Sequence, residues 1–457
     1  GYPAARSFLL KTKGLGMPSL WEASAVRPQG YAKALEGDRS ADVLVIGGGM
    51  AGVLCAYLLS EAGCRCALVE GGQMGAGVTA NTTAKVTAQH DLVYDRLIKK
   101  RGADAARLYF EANQAAVAGL RQLADDVPCD FEEKTAYVYA TGSTAGIERE
   151  LAAYEQLGIP HHVLPSAPVP VANRGALGME RQAQFNPLKL LFGLLGLMPH
   201  VDVYEHAFVT DVSGNMARTD RGSITADHIV FATHYPLVNV PGLYFMKEHQ
   251  ERSYAVALEG APLVDGMFIG DAGGFSFRTY GEYLLVGGGG HRTGEGPKPT
   301  EGYAKIRAFA AEAYSGAQER YAWATQDCMS LDHVPYIGVH RRSRPSQYVA
   351  TGFSKWGMTG ALVAARAIAD LVLRGRSPVE ALFSPQRSML TPSLFSNAGV
   401  SAANLVKPGR RCSHLGCCLE RNDVEGSWDC PCHGSRFAAD GSVLEGPAKR
   451  PIAPEQR

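Results

Sequence analysis

The chain has 457 residues, 46% of them hydrophobic and 20% charged, which is enough apolar mass for two or three domains and excludes disorder as the default. Its 45 Lys and Arg balance 45 Asp and Glu, and a net charge of zero excludes the basic surface that nucleic-acid binding needs. No apolar run reaches the length of a membrane span; Leu188–Met198 is about half of one and contains two glycines.

The N-terminus lacks the charged, apolar, small-residue order of a secretory signal, so a cytoplasmic location is expected. Met17 can serve as the natural start, with Gly1–Gly16 then a tag or upstream read-through. Residues 1–40 read as a lead-in arm carrying Trp21. The stretch Ala41–Glu70 then reads as strand, tight turn, helix, strand. Asp42–Ile46 is a short apolar run of buried-strand type, and Gly47-Gly48-Gly49-Met50-Ala51-Gly52 fits G-x-G-x-x-G. Gly47 permits the tight turn, Gly49 lets backbone approach a pyrophosphate, and Gly52 lets helix pack on strand. The helix N-terminus, with Met50 and Ala51, aims its amides and positive dipole end at that pyrophosphate. Glu70, eighteen residues past Gly52, ends the second strand, where a carboxylate can accept hydrogen bonds from ribose hydroxyls.

Gly75–His90 is rich in small and hydroxyl residues. It can lie along a flat cofactor and bind phosphate through Thr79, Thr82 and Thr83, or it can simply be a polar loop capping the next helix. Helices are expected at Asp91–Lys100, Asp104–Asp125, Thr144–Leu157 and Pro187–Met198, with strands at Phe131–Ala140, Val201–Tyr204 and Ala207–Val212. His228–Thr233 is an apolar strand ending in Ala-Thr-His, whose end can reach the crevice beside a bound dinucleotide. Short strands at hairpin-like spacing follow over 252–290 and imply an antiparallel sheet of their own. Gly287–Gly290 lacks the nucleotide-turn register, so one dinucleotide site is expected. A helix at Thr300–Tyr314 and a strand at Arg320–Thr325 come next. Strands at Val334–Gly338 and Tyr348–Thr351 then lead through the glycine-rich turn Gly352–Gly360 into a helix at Ala361–Arg374. Ser388–Ala403 shows no clear periodicity and reads as a linker. Of ten cysteines, Cys412, Cys417, Cys418, Cys430 and Cys432 fall within 21 residues, a density that demands a metal or a disulfide.

Three features, the glycine fingerprint with Glu70, the Ala-Thr-His strand end and the VPYIG…ATGFSKWGMTGA block, together resemble the D-amino-acid-oxidase-like (glycine and sarcosine oxidase) group of FAD enzymes over about Met17–Phe383. The resemblance implies an α/β Rossmann-like FAD-binding domain, discontinuous over 41–127, 178–238 and 330–386. It also implies an antiparallel-sheet substrate domain over 128–177 and 239–329 that covers the flavin ring. Carried over by position, Gly47, Gly49, Gly52 and Glu70 hold the ADP part, with Val209 on the adenine side through its backbone. Thr79, Thr82, Thr83 and Lys85 approach the pyrophosphate and flavin. Gly352, Phe353, Gly357, Met358 and Thr359 lie by the pyrimidine edge, where a helix N-terminus steadies charge on the reduced ring. Lys85 and Lys355 are candidates to assist the flavin or to be structural charges. Arg278 and Tyr280 suit a carboxylate substrate, and His291 stands at a strand end near the ring.

The tail resembles a Rieske [2Fe–2S] module, small, all-β and shortened, over 404–457 after a linker at 387–403. Its motifs are Cys412-Ser413-His414-Leu415-Gly416-Cys417 and Cys430-Pro431-Cys432-His433-Gly434-Ser435. The resemblance implies Cys412 and Cys430 on one iron, His414 and His433 on the other, and a Cys417–Cys432 disulfide clamping the two loops. Imidazole ligands raise the potential from about −400 mV to roughly −150 mV or higher. Two Cys and two His can also hold zinc, although zinc fingers do not mix one Cys with one His in each half. FAD beside a one-electron cluster implies an amine or amino-acid dehydrogenase or oxidase that exchanges single electrons through the cluster. The alternative is an electron-transfer flavoprotein module serving a partner redox protein.

Overall fold

The computed structural model describes residues 18–296, 301–388 and 392–455. Gly1–Gly16 and Thr300 lie outside them. The apolar run at Asp42 forms the inner part of the strand Arg39–Ile46, with Val43, Leu44 and Val45 fully buried. A run without polar alternation is what a strand covered on both faces requires. Parallel neighbours flank it, Cys66–Val69 on one side and Ser223–Phe231 on the other. Val201–Tyr204 extends the first side and Arg344–Thr351 the second, both in parallel, and Tyr336–Arg341 closes the second edge antiparallel. Gly47, Glu70, Ala232 and Gly352 therefore all follow the C-terminal ends of adjacent strands, where ligands of open α/β sheets bind. The helices Met50–Glu61 and Gly357–Arg374 lie against each other. Buried Ala361, Ala364 and Ala365 on the second helix allow close approach.

The second sheet runs in the order Gln318–Ser330, Glu248–Glu259, Tyr283–Arg292, Ser276–Tyr280, Met267–Gly270, Glu132–Tyr139, Ala176–Gln184, Lys85–Val86. It is not wholly antiparallel as expected, because Met267–Gly270 pairs parallel with Glu132–Tyr139. Nor does the expected boundary at residue 178 hold, since it cuts the strand Ala176–Gln184 and since Lys85–Val86 joins this sheet from the first segment. The glycine run 287–290 is part of the strand Tyr283–Arg292.

The expected linker is in fact a helix, Pro392–Val406. Its proline sits at the first helical position, where φ is already suited and the missing N–H costs nothing. Asn397 is buried and ties this helix to the body by donating to the carbonyls of Met246 and Glu248. Beyond it, four short antiparallel strands, Glu420–Asn422, Ser427–Asp429, Arg436–Ala438 and Val443–Glu445, form a separate sheet. Its core holds four of the clustered cysteines with Leu419, Phe437 and Val443. The short tail thus builds its base from strands between and after the two cysteine loops rather than before them. Among the described residues, no helix is long and apolar enough to cross a membrane.

Candidate active site and metal centre

The glycine turn behaves as its spacing demands. Gly47 has φ +114°, and a Cβ there would lie 2.3 Å from the Ala232 carbonyl oxygen. A Cβ on Gly52 would lie 1.8 Å from the Gly47 oxygen, so helix and turn meet only through glycine. The Glu70 carboxylate accepts from the amides of Gly48 and Gly72, both at 2.7 Å. Burial pushes its pKa up against the pull of those amides. Thr79 accepts from the Met50 amide at 3.0 Å, which ties the hydroxyl-rich segment to the helix N-terminus. Val209 begins a strand two residues after Ala207, whose amide donates to the Glu70 carbonyl. Glycines, threonine, acidic strand end and Val209 thus converge on one strip.

The adjoining loop 82–85 is held from beneath. Trp21, fully buried, donates its indole N–H to the Thr82 carbonyl at 2.6 Å. Arg278 donates to the carbonyls of Thr83 and Ala84 at 2.7 and 2.8 Å, with its guanidinium over the Trp21 ring. The Tyr280 hydroxyl turns away to Asp130 and Asn186. Arg278 and Tyr280 thus serve different partners: Arg278 is completely buried and supports, through Nη1, the loop that carries Thr83 and Lys85, while its Nε and Nη2 have no hydrogen-bond partner among the described residues. Lys85 is buried beside Thr83, and burial with the neighbouring Arg278 charge brings its pKa down to about 7.

The turn after Thr351 holds two successive non-glycine residues in left-handed backbone, Ser354 (φ 49°) and Lys355 (φ 76°), a strained geometry that the surrounding contacts must enforce. The Ser354 amide bonds the Cys328 carbonyl, and Phe353 bridges to Met329. Lys355 reaches Glu251 at 3.0 Å, Ser253 at 3.1 Å and Asp327 at 3.8 Å. Burial opposes its charge, but Asp327 and Glu251 more than offset this and the pKa rises. Trp356 stacks on His90 at 4.7 Å, and His90 and Thr359 share the Thr87 carbonyl. Burial keeps His90 neutral, with its pKa near 3. His291 stands elsewhere, bonded to the Tyr254 hydroxyl at 3.0 Å, and Tyr254 in turn donates to Glu425 of the C-terminal module. It thus stands on the side of the sheet that meets the C-terminal module. Trp21, His90, Trp356, Glu251 and Asp327 were not singled out by sequence. Only the proximity of His90 to the threonine-rich run could have pointed to one of them.

In the C-terminal module the two cysteine loops are built alike. The Cys412 amide bonds the Cys417 carbonyl and the Gly416 amide returns to Cys412; Cys430, Ser435 and Gly434 repeat the pattern. Both glycines take positive φ, 81° and 80°. The loops bring the rings of His414 and His433 to 5.1 Å, nearly perpendicular. Cys412 and Cys430 are buried, and the Cys412 sulfur accepts from the His414 amide. The Nδ1 atoms of both histidines are buried without a hydrogen-bond partner among the described residues. Uncompensated buried nitrogens facing a cysteine pocket are what a metal would satisfy. The expected Cys417–Cys432 disulfide is not formed: all ten cysteines are free, although the Cys417, Cys430 and Cys432 sulfurs lie within 4.8 Å of one another. Three converging sulfurs could also hold a single ion, but a two-iron cluster spreads its ligands over two metals, and the paired, orphaned imidazoles fit that set.

Residues 42–371 match the family model described as FAD dependent oxidoreductase (DAO), and residues 401–454 match the Rieske [2Fe-2S] domain. A Bacillus subtilis (strain 168) protein named as a Rieske 2Fe-2S iron-sulfur protein, YhfW, is 35% identical over 493 aligned positions, covering 94% of this chain and 96% of its own. The tail alone is 54% identical over 41 residues to cytochrome b6-f complex iron-sulfur subunit 3 of a Nostoc species, 9% of this chain and 23% of that one. Among solved structures, glycine oxidase from Geobacillus kaustophilus superposes with a TM-score of 0.65 at 20% identity, covering 77% of this chain and all of that one. L-amino acid deaminase from Proteus vulgaris gives 0.63 at 17% identity, with 80% and 97% covered. At these identities the superpositions show the fold.

Proposed function

The chain belongs to the DAO family of FAD-dependent oxidoreductases and ends in a Rieske [2Fe–2S] domain, and we propose that it oxidises a small amine or amino acid while exchanging electrons singly between flavin and cluster. Bound FAD supplies a hydride acceptor, and the [2Fe–2S] cluster supplies one-electron exchange.

The chain's own residues divide the remaining work. The strip from Gly47 to Glu70, with Thr79, holds the dinucleotide, and Gly352–Thr359 faces the pyrimidine edge with its helix N-terminus. Two lysines stand near that edge with opposed environments. Lys355, ion-paired to Glu251 and Asp327, is a fixed positive charge. Lys85, with a pKa near 7, can take or give a proton at neutral pH. Glu251 and Asp327 together carry one negative charge more than the Lys355 they pair with, which suits the ammonium of an amine substrate, and the two partnerless nitrogens of buried Arg278 suit a carboxylate.

The observation that carries the reading is the strand Glu248–Glu259. Its side chains alternate between faces, as strand geometry requires. Glu251 and Ser253 meet Lys355 on the flavin-side turn, whereas Arg252 and Tyr254 meet Glu425 of the Rieske domain. One sheet layer thus serves both centres. Anaerobic mixing of purified protein with a panel of amines and amino acids should bleach the flavin band and raise a rhombic Rieske-type EPR signal. If only a reduced partner protein does so, the chain is an electron-transfer module and oxidises no small molecule itself.

A further inference from the structure

A domain tethered by one segment is expected to move relative to its neighbour unless the interface between them is large or specifically bonded. Here two sets of contacts fix it. The first is ionic. Arg252, buried on the second sheet, donates to Glu425 at 2.5 and 3.0 Å and to Glu445 at 3.2 Å. Arg436 of the Rieske domain completes the network through Glu425, Glu445 and the fully buried Asp429. Tyr254 adds a bond to Glu425.

The second set surrounds the cysteine loops. Gln326 donates to the Gly434 carbonyl at 2.9 Å, and the Thr293 hydroxyl holds Gln326 at 3.0 Å. Arg292 donates to the Pro431 carbonyl at 3.1 Å. Gly294 lies so close that a Cβ on it would be 2.4 Å from the Pro431 nitrogen, and a Cβ on Gly434 would be 2.2 Å from Gln250. The Gln250 side-chain oxygen also accepts from His234 Nε2 at 3.2 Å, and the His234 carbonyl accepts from Thr351, the residue before the flavin-side turn. Asn239 meets His414 at 3.3 Å, and Phe245 packs edge-on against His433. His433 is 2% exposed. The edge that carries the ligand histidines is therefore turned into the body of the protein.

We propose that Arg252 is a positioning residue that locks the cluster's histidine edge onto the seat formed by Asn239, Phe245, Gln250 and Gln326, so that electrons cross between flavin and cluster within one chain. This rests on the exchange proposed above. One electron leaves the flavin and one enters the cluster in each crossing, and no bond is made or broken. The short route is Thr351, His234, Gln250 and Gly434, the last adjoining His433.

The test uses the full-length holoprotein. Its flavin is photoreduced with a deazaflavin and EDTA, so that no substrate is needed, and cluster reduction is followed by EPR and visible absorbance. The wild-type rate should be the same over a 100-fold range of protein concentration. Arg252→Met should slow it at least 10-fold and make it rise with concentration, while iron content, flavin content and the EPR g-values stay those of the wild type. Arg252→Lys should recover part of the rate. Should Arg252→Met lose its iron, Gln326→Leu, which removes the bonds to Gly434 and Thr293 and leaves the ionic network intact, should show the same slowing. A concentration-dependent wild-type rate, or variants as fast as wild type, would overturn the locked seat and leave electron exchange standing. No cluster reduction at any concentration would overturn both.

Discussion

At Gly52 there is no room for a methyl group, because it would fall 1.8 Å from the Gly47 carbonyl and could be relieved only by parting helix from turn. Gly52→Ala should therefore bind less than a tenth of the wild-type flavin and lose about 1–3 kcal/mol of stability, read from bound-flavin absorbance and urea unfolding. This residue was legible because its constraint is local, written in six consecutive positions. Lys85 was legible only as a position. What its environment does to it depends on Arg278, a residue distant in sequence. The folded pKa near 7 lies below the ordinary lysine value of 10.5. Between these values the unfolded chain binds the extra proton, so stability rises with pH across that window. Below pH 7 both states are protonated and the burial cost is constant, on the order of 5 kcal/mol for the full shift. Lys85→Met apoprotein should accordingly be more stable than wild type at pH 6. That gap should shrink as pH climbs from 7 towards 10.5, as measured by denaturant midpoints, and a gap constant with pH would show Lys85 to be solvated.

Among the elements, the helix Pro392–Val406 shows what pattern reading misses. Two prolines nearby, scattered serines and Gly399 conceal a helix whose order comes from tertiary contacts. Asn397 is the clearest of these contacts, donating to two carbonyls and accepting from Arg292 at 2.5 Å. Asn397→Ala leaves the buried carbonyls and the guanidinium short of partners, and should cost about 1–3 kcal/mol in the unfolding of the C-terminal domain, with flavin binding unchanged. The strands read better, since Val201–Tyr204 is rich in β-branched and aromatic residues and Met267–Gly270 carries a short apolar run. Register was not legible. Whether Arg278 points to a substrate or to the Thr83 carbonyl depends on which strand lies beside it, and no run of neighbouring residues encodes that. The same holds for the two-faced strand Glu248–Glu259, whose alternation is visible in sequence but whose partners, 173 residues away at Glu425, are not.

For the molecule as a whole, the attachment of the Rieske domain hangs on a buried charge network of Arg252, Arg436, Glu425, Glu445 and Asp429, with Tyr254 and His291 at its edge. Such a network adds little net stability over apolar packing, but breaking it by removing one member leaves an uncompensated charge and costs about 3–5 kcal/mol. Burial opposes ionisation of Glu425, yet Arg436 and Arg252 outweigh it and hold the carboxyl at about 2. A depressed carboxyl contributes fully above its unfolded value of 4.5 and loses that contribution as pH falls through 2. Docking should therefore survive mild acid. The radius of gyration from solution scattering should stay constant down to about pH 4.5 and grow only below it, because the unfolded or undocked carboxyl begins to take protons there. Glu425→Gln removes one charge at neutral pH and strands two guanidinium groups. It should split thermal unfolding into two transitions, the Rieske domain leaving first, and bring the expansion on at pH 7. A single transition in that variant, at the wild-type temperature, would mean that the two arginines are satisfied by Glu445 and Asp429 alone and that the domain is held by the loop seat.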